Sequence, residues 1–162
     1  MKYLLTFLFI ASYVCVFSQF LTEDEHLELN LDTAPASIKN DDNFRKAYDF
    51  FENESYDSTL IYTYQFLIEH PKESVYTEYC HYFRGISFIS KNLQEEAKLE
   101  LSKIGTKFPY YLSVVMKLGS IALDLEDYTT ALEYLKELEN NKDLEPTRKA
   151  TFCKTLACVI CI

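Results

Sequence analysis

From Asp41 onward, apolar residues return at three- and four-residue steps, the period of a helix that buries one face. Phe44, Ala47, Tyr48 and Phe51 mark the first stripe. Asn53-Glu54-Ser55 breaks it, Tyr56 follows, and a second run from Ser58 to Glu69 ends at Pro71. The same periodicity predicts helices over Ser74–Ser90, Leu93–Lys107, Tyr111–Leu125 and Thr129–Asn140, with Phe108-Pro109 as a break. Asp127, Thr129 and Thr130 are suitable N-terminal caps for the last of these. Pro146 opens a further helix, about Thr147–Ile160. With 3 Gly and 4 Pro in 162 residues, the chain lacks the turn formers of an all-β fold. The expected fold class is all-α, and 48% hydrophobic residues suffice for one domain with a core.

The helices come in pairs, and the pairs repeat. Lys117–Leu138 holds Leu118-Gly119 in one helix, Tyr128 at the turn, and Ala131, Leu135 and Leu138 along one face of the next. Thirty-four residues earlier the skeleton returns as Gly85, Ala97, Leu101 and Ile104, closed by Pro109. A looser copy precedes it as Ala47, Tyr56, Phe66 and Pro71, with 38 residues between Ala47 and Gly85. Small residues at these points allow close approach of two helices, and a bulky side chain there would overpack the contact by ~1–3 kcal/mol.

This pattern resembles the tetratricopeptide repeat, a helix-turn-helix of 34 residues. The departures are Arg84 in the Leu position, Asn92-Leu93 for the turn aromatic, and Thr59 where Ala is expected. The resemblance covers about Asn40–Ile162 and implies a solenoid of about three repeats (40–73, 78–111, 112–145) with a partial terminal unit, 146–162. It also implies a concave groove lined by the first helix of each pair. By register the groove candidates are Tyr48, Phe51, Tyr79, Tyr82, Ile86, Ile89, Met116, Ser120 and Leu123. Tyr anchors ringed by polar groups suit interface hot spots, although an aromatic stripe at helical spacing also serves as core.

The first forty residues read differently. Met1-Lys2 followed by the apolar run Leu4–Val16 has the form of a secretory leader, with cleavage expected after Ser18. The run is shorter than the ~20 apolar residues of a spanning helix, which disfavours a retained anchor. Val14 before Cys15 departs from a lipoprotein signal. Residues 19–40 carry no helical stripe, although His26–Leu31 alternates briefly, and we expect a flexible linker there. The domain that follows spans 41–162. Its apolar end, Leu156–Ile162, implies burial on the third pair or, the favoured reading, continuation into a longer protein.

Chemistry is sparse. A formal net charge of −9 disfavours nucleic acid, which requires basic patches. Cys158-x-x-Cys161 lacks the βαβ setting of a redox site, and Cys153 supplies only a third thiol toward zinc. Free cysteines on such a helix pack as small hydrophobes, and oxidation stays open in an exported chain. His26, His70 and His81 are scattered, and Cys80 and His81, adjacent on a helix, point in different directions. Asn53-Glu54-Ser55 forms a glycosylation sequon in a turn, relevant in a eukaryotic source. No nucleophile elbow, phosphate loop or zinc-protease motif occurs.

The expectation is therefore a non-catalytic, exported (periplasmic or secreted) scaffold that binds a protein or peptide. It uses no cofactor, metal, nucleic acid or small-molecule substrate, and meets a membrane only through an uncleaved leader or a downstream segment. The alternative is the sensory input segment of a longer bacterial signalling protein, a transcriptional regulator or histidine kinase.

Overall fold

The computed structural model describes residues 27, 29–72 and 74–140. The expected leader, His26, the helix after Pro146, the partial fourth unit and Cys153, Cys158 and Cys161 lie outside the described residues. Those described form seven α-helices and no strand. They are α1 (Ala36–Lys39), α2 (Asp42–Glu52), α3 (Tyr56–Glu69), α4 (Val75–Ser90), α5 (Gln94–Leu101), α6 (Tyr111–Asp124) and α7 (Tyr128–Asn140). A 3-10 turn at Leu31–Thr33 precedes them.

Local chemistry sets the helix starts. Asp41 accepts from Phe44 N at 2.9 Å and so satisfies a free donor at the start of α2. Ser74 and Thr77 close a reciprocal capping box on α4. Asp127 accepts from Thr130 N at 3.2 Å at the start of α7. α5 stops at Leu101, short of the Lys107 expected from the pattern. Gly105 N donates instead to Glu78 Oε1 of α4 at 2.9 Å, so the chain leaves the helix while Ile104 and Phe108 still reach the core.

Consecutive helices pack antiparallel. Asn43 bonds to Glu69 and Phe50 stacks on Tyr62, so the start of α2 meets the end of α3. Tyr111 donates to Glu137 in the same sense between α6 and α7. The principal contacts join each helix from α2 to α7 to the next, and α2 also touches α4.

The three turns inside the pairs share one geometry. Glu54, Asn92 and Glu126 have φ of 55°, 58° and 58°. The following residue then bonds back across the helix end: Ser55 N to Phe50 O, Leu93 N to Phe88 O, and Asp127 N to Ala122 O, at 2.8, 2.9 and 2.8 Å. This is the Schellman closure, which satisfies carbonyls left open where a helix stops. The turns are spaced by 38 and 34 residues, as are the buried sets Thr59/Ala97/Ala131, Thr63/Leu101/Leu135 and Phe66/Ile104/Leu138. Thr59 fits the small-residue position because its hydroxyl donates to Ser55 O at 3.2 Å. The four extra residues of the longer interval fall between Phe66 and Tyr82, in the junction from the first pair to the second.

The two register glycines differ. A Cβ on Gly85 would lie 2.5 Å from Leu101 Cγ and Cδ2, whereas one on Gly119 would lie 3.5 Å from Tyr134 Cβ. Close approach therefore requires Gly at 85 but not at 119.

The expectation of a flexible linker over 19–40 needs correction where the chain is described. Leu27 is 5% exposed, Ile38 is buried, and Leu29, Leu31 and Ala34 pack on the same core as Phe44 and Phe83. Alternating leucines, too few for a helical stripe, place one edge of an extended segment against that core, and transfer of apolar surface from water holds it.

Candidate functional site

Six of the nine groove candidates fall into two rows that obey the repeat interval: Tyr48/Ile86/Ser120 and Phe51/Ile89/Leu123. All six are partly exposed, on α2, α4 and α6. Met116 is also partly exposed and packs against Val115, Leu135 and Leu138. Phe51 stacks on Phe83 at 4.5 Å, which fixes its ring while leaving part of it accessible.

Tyr79 and Tyr82 belong elsewhere. At 6% and 4% exposure they are core residues, not groove anchors. Their rings meet Phe108 at 5.0 and 5.7 Å, and Tyr110 closes over both. The non-helical stretch 102–110 carries these aromatic lids, and a helix continuing to Lys107 would have placed Phe108 differently. Burial, with Tyr110, Tyr76 and Tyr48 nearby, pushes the Tyr79 hydroxyl up to about 12. Tyr48 is raised by burial and by Glu52, Asp49 and Tyr110.

A buried charge network explains Arg84, the departure at the Leu position. Glu100 of α5 takes His81 Nδ1 at 2.8 Å, Arg84 Nε at 3.3 Å and Lys103 Nζ at 3.2 Å. Arg84 also donates to Leu60 O of α3 at 3.2 Å, so the network ties three helices together. Burial opposes ionisation of Glu100, but the His81 hydrogen bond and the charges of Arg84, Lys103 and His81 outweigh it and hold the carboxyl at about 2. Beside it, Cys80 is fully buried and its thiol is pushed well up by burial, which makes it a packing group.

A second polar cluster lies at the first junction. His70 Nε2 sits 2.9 Å from Asp41 Oδ2, and Asn43 Nδ2 donates to Glu69 Oε2 at 3.0 Å. One ligand atom each of Asp41, Glu69 and His70 falls within 4.8 Å of the others. An open cavity of about 450 Å³ adjoins it, lined by Ile38, Phe66, Glu69, His70, Pro71 and Tyr76 among others. Nothing local in the sequence announces either cluster, because His81 and Glu100 are 19 residues apart and Asp41 and His70 are 29 apart. The one available signal was Arg84 itself, a charge at a core position that demands a buried acid.

The class defined so far is an all-α protein of repeated helix pairs. No protein-family model matches the chain, and neither a curated protein nor a solved structure is significantly similar to it. No helix among the described residues is long and apolar enough to cross a membrane.

Proposed function

We propose that this chain is an exported tetratricopeptide-type repeat protein that binds a peptide or protein segment along the rows Tyr48/Ile86/Ser120 and Phe51/Ile89/Leu123, and that it is not an enzyme. The observation carrying this reading is that equivalent positions of three successive pairs are all left partly exposed on the first helix, while equivalent positions of the second helices are buried. A surface built from one position repeated along a chain suits an elongated partner, which meets similar chemistry at each step. The −9 charge directs the choice toward a neutral or basic segment, and the leader pattern of Met1–Ser18 supports export.

A photo-crosslinking residue placed at Ile86 or Leu123 tests this in the chain's native host. Both sites are expected to yield one discrete covalent adduct, while the same residue at Leu99, 61% exposed on α5, yields none. Equal adducts from all three positions, or none from the row sites, would overturn the proposal.

A further inference from the structure

The cluster at the first junction stands apart from the rows and carries its own chemistry. We infer that Asp41, Glu69 and His70 form a binding site for a divalent transition-metal cation, with coordination positions left open toward the adjoining cavity.

Each ligand is held by a partner other than the cation. Asp41 Oδ1 accepts from Phe44 N at 2.9 Å, which leaves Oδ2 to point at His70. Glu69 Oε2 takes Asn43, which leaves the other oxygen. The His70 ring stacks on Phe66 at 4.4 Å between centroids, fixing the direction of Nε2. Outer partners of this kind orient the groups that ligate a metal. The 2.9 Å between Nε2 and Oδ2 matches the ~3.0 Å expected between two ligands set at right angles, each ~2.1 Å from a cation. Binding exchanges the Nε2 proton, released to solvent, for the cation.

The repeat register isolates these residues. Moved forward by 38, Asp41 and His70 become Tyr79 and Phe108, which meet ring to ring at 5.0 Å in the core. Packing at this joint is thus served by an apolar pair in the second unit, and the first unit replaces it with two carboxylates and an imidazole. The extra four residues lie in the same junction as Glu69 and His70. One nitrogen and two oxygens suit Mn²⁺, Fe²⁺ or Zn²⁺ better than a soft monovalent ion. Three protein ligands leave places for water or a ligand in the 450 Å³ cavity.

Mn²⁺ is the probe of choice, because thiolates at Cys153, Cys158 and Cys161 favour softer ions. The full chain is titrated and free Mn²⁺ followed by electron paramagnetic resonance. One ion per chain is expected, with affinity reduced at least ~10-fold in His70→Gln and in Asp41→Asn. Asn is itself a good N-cap, so the latter keeps α2 intact. The triple Cys→Ser variant should bind like the parent. Absence of saturable binding, unchanged binding in both ligand variants, or loss only in the Cys variant would overturn the site. Far-UV circular dichroism of each variant separates loss of ligand from loss of fold.

Discussion

Substituting each register glycine with alanine should have opposite effects. Gly→Ala within a helix raises helix propensity by ~1 kcal/mol. Neither Gly85 nor Gly119 has positive φ, so that gain is open to both. At Gly119 the new methyl would stand 3.5 Å from Tyr134 Cβ, an ordinary contact, and Gly119→Ala should stabilise the chain by about 0.5–1 kcal/mol. At Gly85 it would stand 2.5 Å from Leu101 Cγ and Cδ2, about 1 Å inside the best carbon–carbon separation. Leu101 is fully buried and cannot swing clear, so the ~1–3 kcal/mol of overpacking exceeds the propensity gain. A net loss of about 1 kcal/mol is expected for Gly85→Ala. Urea denaturation followed by far-UV circular dichroism measures both, and Leu101→Ala completes a double-mutant cycle. In that background the clash is gone, and Gly85→Ala should become neutral or stabilising, a coupling of about 1–2 kcal/mol. Equal midpoints for the two alanine variants, or a penalty that persists without the leucine side chain, would refute the packing described between α4 and α5.

Two further outcomes follow from the charge network and the turns. Glu100 titrates at about 2 in the folded chain against an ordinary 4.5, so between these values the unfolded chain binds more protons; its stabilisation is full above pH ~4.5 and lost as pH falls toward ~2. With solvent screening this amounts to ~1–2 kcal/mol, and urea midpoints from pH 5 to 2 should fall less steeply in Glu100→Gln than in the parent; equal slopes would contradict the assignment. Glu126 holds φ of 58° with a full side chain, so Glu126→Gly should raise the thermal midpoint by a few degrees, whereas Asn92→Gly changes it little because Asn tolerates that conformation. A lower midpoint for Glu126→Gly would show that the turn is unstrained.

The helices and their pairing were legible because they rest on short-range signals. Apolar period, capping residues and the 34-residue recurrence of Gly, Ala and Leu all lie within one or two turns of each other. What escaped was long-range. Tyr79 and Tyr82 carry the right spacing for a groove, yet the irregular stretch 102–110 folds Phe108 and Tyr110 over them. Periodicity cannot register a lid supplied by residues with no period. Leu27, Leu29 and Leu31 escaped for a related reason: three alternating leucines carry a weak signal alone, and only the tertiary surface they meet makes them core. Asp41 and His70 are joined by the antiparallel return of a hairpin, which neither residue encodes.

The constancy of the turns within pairs, against the variable junctions between them, bears on how the chain acquires its shape. Each hairpin finds its own partners within a short length of polypeptide, and links to the next stay local too: Lys91 reaches Asp57 across 34 residues. Such a chain has low contact order, and little loop-closure entropy opposes each successive step. Emerging end first from a narrow exit, it could set one hairpin at a time, each new pair docking on a finished edge. Order of synthesis and order of assembly would then coincide, with the first junction completed before the last helix exists.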